Sequence, residues 1–311
     1  MRELGHLAPV AVTLLAMIAC TDPAAVVRPA DRASSRAFGA HIDSATVTAA
    51  RYSPMLLARA RRASHASALG INDQRVIVGQ MSYTYAGRSA FAPGIVECET
   101  SGAAMWRNGK VVMLHEIVVR VLGLDPCTAY TTAVDINNAG VIVGNIDNAM
   151  NEGVGHYAFI WSETLGVVRI RELGETSLSA INDRGLAVGY NYSEGAPSGA
   201  RSFGWTAIQG TFEIPGPPQP NYGWETVWDV NDAGTLIGCS DGTVARWSVA
   251  GISTLTGLSC FAVPVFGDHY LGGGISNRGD AAFSVSGPLP FRWKHDDALP
   301  VDIGWGAGGA T

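Results

Sequence analysis

Charge is scarce in this chain. Only 15% of its 311 residues are Asp, Glu, Lys or Arg, against 47% hydrophobic. That balance argues for a well-filled core and against disorder. A basic excess is lacking too: the formal net charge is −6, which disfavours a nucleic-acid partner. The most apolar stretch, LAPVAVTLLAMIAC at residues 7–20, is too short to span a bilayer. Reaction motifs are missing as well. There is no Cys-x-x-Cys for zinc or thiol exchange, no His-Glu-x-x-His, no Gly-x-Ser-x-Gly elbow and no phosphate-cradling Gly loop. The sequence therefore implies no cofactor, no metal and no catalytic residue, and an enzyme is the less favoured reading.

What is present begins with a targeting segment. Residues 7–20 have the length of a signal-peptide apolar region, with Arg2 in front. Its ending, Met17-Ile18-Ala19-Cys20, resembles a bacterial lipobox. That resemblance implies lipidation of Cys20, an exported chain held to a membrane, and a periplasmic or cell-surface address. Residues 21–66 then read as a tether, with a closing strand or a degenerate repeat near its end. Residues 22–66 carry seven Arg against three Asp, a basic segment attached to an acidic body.

Five Cys is an odd number, which asks for an explanation in an exported protein. With Cys20 lipidated, Cys98, Cys127, Cys239 and Cys260 remain. Three connectivities are open to four Cys. The local one, Cys98–Cys127 and Cys239–Cys260, is expected, each bridge contributing about 3 kcal/mol through the unfolded chain.

The rest of the chain, residues 67–311, is organised by repetition. A turn motif begins at Ile71, Ile136, Ile181, Val230 and Ile275, as in AVDINNAGVIVG at 133–144. Downstream of each copy stand AAMW, AFIW, SFGW, VARW and PFRW, ending at Trp106, Trp161, Trp205, Trp247 and Trp293. Five of the eight Trp residues thus hold one repeat position. Asn-Asp-Ala-Gly suits a type I turn ending in a left-handed residue, which joins two antiparallel strands. Gly140, Gly185, Gly234 and Gly279 would be left-handed, with Arg75 in that place in the first copy. The runs VIVG, LAVG and TLIG are continuously apolar, as expected of strands covered on both faces.

Each copy reads as four short strands. The expectation is an all-β chain, a β-propeller of about five to six four-stranded antiparallel blades. An open array, which needs polar end caps, is second. The last residues, DIGWGAGGAT, parallel RELGETSLSA before a turn motif, so the two ends are expected to meet and seal a ring.

The motif Ile-Asn-Asp-x-Gly-x-x-Val-Gly, followed by His/Arg-x-Ala/Ser-Phe-x-Trp as in HYAFIW at 156–161, resembles the bacterial extracellular HAF repeat family. The resemblance covers about residues 67–305. It implies an exported β-repeat protein and carries no catalytic residues. The fifth copy departs most, with Ser276-Asn277 for Asn-Asp and DAAF for the Val-Gly strand.

Candidate sites are few. The repeated Trp residues read as core. Tyr222 and Trp224 in the Pro-rich PGPPQPNYGW, together with Trp228, are candidates for a binding surface. So are Asp268 and His269 in the loop GDHY. His295, Asp296 and Asp297 read as a solvated turn. The Asn-Asp turns hold too few carboxylates each for calcium. The expected function is binding of a protein or glycan by a monomeric, membrane-tethered module, through insertions at 80–103, 115–132, 191–200 and the Pro-rich loop. The alternatives are a glycan hydrolase or lyase and a purely structural envelope component.

Overall fold

A computed structural model describes residues 57–58, 63–89, 92–148, 156–170, 175–192, 200–216, 225–251, 253–260, 273–284 and 290–303. All lie within the compact unit Met55–Thr311. Cys20, Tyr222, Trp224, Asp268 and His269 fall outside the described residues.

The described residues form five four-stranded sheets, each antiparallel and each in chain order. The first comprises β1 (Ala63–Ile71), β2 (Ile77–Ser89), β3 (Ala92–Arg107) and β4 (Lys110–Met113). A helix, α1 (Leu114–Leu122), leads to the second sheet: β5 (Ala129–Ile136), β6 (Ile142–Asn148), β7 (Tyr157–Ser162) and β8 (Gly166–Ile170). The third holds β9 (Glu175–Ile181), β10 (Ala187–Tyr192), β11 (Ala200–Thr206) and β12 (Gly210–Glu213). The fourth holds β13 (Glu225–Val230), β14 (Thr235–Ser240), β15 (Thr243–Ser248) and β16 (Ser253–Ser259). The fifth is the smallest: β17 (Gly273–Ile275), β18 (Ala281–Ser284), β19 (Pro290–Trp293) and β20 (Val301–Asp302).

The turn motif folds as its residues demand. Gly140, Gly185, Gly234 and Gly279 have φ between 75 and 86°, and Arg75 takes the same left-handed conformation at φ 61°. Within each turn the Asn side chain caps the backbone. Asn137 Oδ1 accepts the N–H groups of Ala139 and Val141, and Asn182 Oδ1 those of Arg184 and Leu186.

The Val-Gly pair that follows has a cause in the strand opposite. The first strand of each of the first four sheets carries a one-residue bulge, at Leu69, Val134, Ser179 and Trp228, always two residues before the motif Ile or Val. The bulge drives a carbonyl into the facing strand. A Cβ on Gly79, Gly144, Gly189 or Gly238 would run into the carbonyl oxygen of Ser67, Thr132, Ser177 or Thr226. In the fifth sheet Phe283 replaces that Gly, and β17 pairs with β18 without a bulge. The small residue has changed strands: a Cβ on Gly273 would lie 2.7 Å from Phe283 Cβ.

Packing between sheets follows one rule. The motif Ile or Val and the repeat Trp of the second to fifth sheets face the sheet before them. Ile136 and Trp161 join a core with Val78 and Met105 of the first sheet. Ile181 and Trp205 pack on Val143 and Ile160, Val230 and Trp247 on Val188, and Ile275 and Trp293 on Ile237 and Val244. All five repeat Trp residues are buried. The first, Trp106, has no sheet before it in chain order among the described residues. It packs with Met81, Leu57 and Ala58 instead, and donates its Nε1–H to Ala58 O at 2.6 Å.

Candidate functional site

Strand direction sorts the connections. The Asn-Asp turns and the third-to-fourth strand turns lie at one end of every sheet, the turn end. The second-to-third and sheet-to-sheet connections leave from the opposite end, the loop end. The end that tolerates inserted chain is the usual place for recognition.

At the turn end the copies are stitched together by side-chain amides. Asn72 Nδ2 donates to Asn137 O, Asn137 to Asn182 O, Asn182 to Asn231 O and Asn231 to Ser276 O, at 2.9–3.1 Å. A second row runs beside it. The backbone N–H groups of Asp73, Asn138, Asp183 and Asp232 donate to the side chains of Asn138, Asp183, Asp232 and Asn277, each 2.8–2.9 Å away. The Asn-Asp pair is therefore a junction device. Ser276 accepts its own turn N–H from Asp280 but has no amide to pass forward.

Two carboxylates strengthen alternate junctions. Asp135 accepts the N–H of Ile136 and of Ile181 in the next sheet. Asp229 does the same for Val230 and Ile275. Burial pushes the Asp229 carboxyl up to about 6, the two N–H bonds working against that rise and the Asp135 charge adding to it. Burial raises Asp135 as well. The sequence signal for this pair, Asp followed by Ile/Val-Asn, was present at 135–137 and 229–231, but its meaning depends on the neighbouring sheet.

Among the described residues the loop end is most developed at the first sheet. β2 and β3 run on past the reach of β1 and β4 as a two-stranded arm. Beside it stands α1, where the sequence reading had an inserted loop. Leu114 and Val118, four apart on one helix face, enter the core between the first two sheets. The Cys98–Cys127 disulfide ties the arm to the connection after the helix, and Cys239–Cys260 ties the fourth sheet's loop-end turn region to its outgoing chain. Both bridges pair as expected, and both brace the loop end.

His115 holds the first turn of α1. It is fully buried. Nε2 lies 3.1 Å from Pro126 O, and a carbonyl only accepts, so Nε2 carries the proton. Nδ1 then accepts from the Thr131 hydroxyl at 3.0 Å, while Thr131 Oγ1 accepts the Ala103 N–H at 2.8 Å. Burial lowers its pKa to about 4, with the Pro126 bond opposing, so the ring stays neutral. Gly102 makes room, since a Cβ there would come 2.5 Å from that of His115.

On the same face of the arm lie Tyr83, Tyr85, Cys98 and Thr100, Tyr83 paired across the strands with Thr100 and Tyr85 with Cys98. Tyr83 packs edge-on against His115 at 6.3 Å. Tyr83 and Thr100 are each 4% exposed; the Tyr83 hydroxyl lies against Glu116, and the Thr100 hydroxyl has no protein partner. Burial raises the Tyr83 phenol, and the charge of nearby Glu116 raises it further. Tyr85 is half-buried, next to Glu116, Asp125 and Arg120.

The remaining sequence candidates separate. Trp228, expected on a binding surface, is the bulged residue of β13. It is half-buried, its ring 6.3 Å from Phe283, because the indole fills space that the bulge opens over β18. His295 and Asp296 are exposed on the turn after β19, where Asp297 O accepts the Trp293 Nε1–H. Among the described residues no group of three or more His, Cys, Asp or Glu side chains gathers as a metal site, and no helix is long and apolar enough to cross a membrane. No family model matches this chain, and no curated protein is detectably similar to it.

Proposed function

We propose that the chain is an exported, membrane-tethered binding module, a β-propeller whose five sheets are blades and whose loop end takes a protein or glycan. The observation that carries the reading is the division of labour between the two ends. The repeated amide row occupies the turn end, while the long arm, α1 and both disulfides occupy the other. A rigid scaffold with variable connections on one side is how loop-borne recognition is built. The disulfides accord with an oxidising compartment. Export by the residue 7–20 signal, lipidation at Cys20 and kinship with HAF repeats belong to the same proposal.

Ring closure is supported by the two terminal faces. Ile71 is 63% exposed, whereas its counterparts Ile136, Ile181, Val230 and Ile275 are at most 8% exposed. In the fourth sheet Arg246 covers the Trp293 ring at 4.2 Å and donates to Gly279 O, Lys294 O and His295 O. Arg292 holds the same repeat position in the fifth sheet and is exposed, as is Ala282. Bringing the fifth sheet to the first would cover both faces. That seam lacks the amide rung, since Ser276 replaces Asn.

Cysteines at Ile71→Cys and Ala282→Cys test the ring. An intramolecular crosslink on oxidation is expected; crosslinked dimers alone would refute closure. For binding, the full chain is screened against a glycan array and an envelope-protein pull-down, alongside Arg201→Glu at the loop end and Asp296→Ala at the turn end. Loss with the first variant only is expected. Loss with the second only would sink the reading. A glycan-active enzyme is the second reading, favoured by the raised Asp135 and Asp229 carboxyls. Glycan cleavage that vanishes in Asp229→Asn without loss of folding would establish it.

A further inference from the structure

The two kinds of turn at the turn end differ in what they show to solvent. The Asn-Asp turns expose no large hydrophobic side chain among the described residues. The third-to-fourth-strand connections expose one in each of the second to fifth sheets: Leu165, Ile208, Val249 and Leu299. Ile208 is 100% exposed and the others 41–59%. Turn positions ordinarily take Gly, Pro, Asn, Asp or Ser. An Ile at full exposure adds nothing to the core, so the fold does not ask for it. Nor is it the relic of one repeated letter, since each aliphatic stands at a different distance along the chain from its repeat Trp. What recurs is the property at that place.

The four tips belong to one surface. The amide row bonds each Asn-Asp turn to the next, which keeps the turn ends of neighbouring sheets level. A protein partner needs a contiguous apolar centre with a polar rim. Here each tip stands on its own sheet, and polar Asn-Asp turns share the same end. A lipid bilayer takes separate tips, because its apolar region runs under all of them at one depth. Charge at this end is mixed. Arg107, Lys110 and Lys294 stand exposed with Glu163 and Asp296, so lipid charge is not what draws the surface. Chain length allows the contact. Residues 21–56 separate Cys20 from Leu57, the first described residue. Fully extended they reach on the order of 100 Å, whereas a seven-residue strand such as β9 is about 24 Å long. The tether enters β1 at the loop end and is still long enough for the turn end to meet a membrane.

We infer that the third-to-fourth-strand turns are a membrane-docking surface, with Leu165, Ile208, Val249 and Leu299 set into the interfacial region of a bilayer. This rests on the membrane tether and adds an orientation to it. The turn end lies on the lipid, and the loop end faces away, open to its ligand.

The test is depth-sensitive fluorescence on the full chain, expressed in a bacterium, recovered from membranes and reconstituted with phosphatidylcholine vesicles. With Cys20 lipidated and the other four Cys in disulfides, an introduced Cys is the one free thiol. An environment-sensitive fluorophore is placed in turn at Ile208→Cys, at Val249→Cys and, on the loop-end arm, at Ile95→Cys, an Ile that is 77% exposed. A blue shift, quenched by nitroxide-bearing lipid, is expected at the first two and not at the third. Ile208→Asp should weaken docking about tenfold, the worth of burying one such side chain, and so remove most of the Val249→Cys response. Its urea midpoint should match that of the parent. Vesicle-bound protein in which neither turn-end position responds, or in which Ile95→Cys responds as strongly, overturns the inference and leaves the tether standing. So does a Val249→Cys response indifferent to Ile208→Asp. Dimers crosslinked through Ile208→Cys in place of a lipid response make the surface an interface between copies and overturn it too. If the chain is recovered soluble instead, Cys20→Ser keeps the introduced thiol single and vesicles are added. A response at both turn-end positions then sustains the docking surface without the tether, and no response overturns both.

Discussion

At the turn end, Asn72, Asn137, Asn182 and Asn231 make the same forward bond, and every turn closes on a residue in the left-handed conformation, Arg75 in the first and Gly in the rest. Toward the loop end the described residues of the copies share less, chiefly the Ala N–H to Thr hydroxyl bonds Ala103–Thr131 and Ala158–Thr176 between neighbouring sheets. One carries a long arm, a helix and a disulfide, another a two-residue turn at Asp241-Gly242 beside a second disulfide. The contrast separates two ways of holding chain in place. Periodic bonds suit a surface where every neighbour is alike. Where neighbours differ, covalent bridges and buried polar networks such as that of His115 substitute for them.

The contrast can be broken most severely at the bulge. Gly189→Ala and Gly238→Ala push a Cβ into Ser177 O and Thr226 O. Each is expected to lower stability by about 4 kcal/mol, at the upper end for single substitutions, read from urea denaturation. A small loss in both would mean that the bulge relaxes freely.

Replacing Cys98 and Cys127 together by Ser should cost about 3 kcal/mol. Hydrogen exchange is expected to speed up in α1 and the arm and to stay unchanged at Asn182 and Asn231. Faster exchange at the turn end would show that the two ends are one cooperative unit.

Two of the buried titrations, those of His115 and Asp229, pull in opposite directions. His115 is lowered to about 4 from an ordinary 6.5. Its contribution is complete above pH 6.5 and is lost as the pH falls toward 4. Asp229 is raised to about 6 from 3.8. Its contribution is complete below pH 3.8 and is lost as the pH rises through 6. Each amounts to roughly 3 kcal/mol over its full span, so they offset between pH 4 and 6. The urea midpoint of Asp229→Asn should rise steeply with pH in that window, and that of His115→Gln should fall. Parallel slopes in the two variants would contradict the assignment.

Asn182→Ala is the gentlest break. It removes the forward rung and two turn caps, for about 2 kcal/mol. Ser276→Ala should cost about half as much, since it loses only a cap.

What could be read in the sequence was local or periodic. The five turns, the buried indoles and the two nearby disulfides follow from spacing and turn chemistry. The reason for each Val-Gly could not be read, because the clash that demands glycine comes from a carbonyl on another strand, placed there by a bulge. The Asn looked like a turn residue because its caps are local, whereas its amide reaches a carbonyl 45 residues on or more. At α1 a helical signal was legible. Leu114, His115, Val118 and Val119 repeat at helical spacing, and all four are buried, but a four-strand template left no place for a helix. His115 stood among scattered histidines, and only the fold reveals Pro126 and Thr131 on either side of it.

The amide row has a polarity. Each inner copy gives a hydrogen bond to the copy after it and takes one from the copy before it, and Ser276 can only take. A gene that slips by one period, duplicating residues 182–230 for instance, therefore encodes a newcomer already fitted to both neighbours. Chains of this kind can lengthen or shorten from the middle while their first and last units stay as they are.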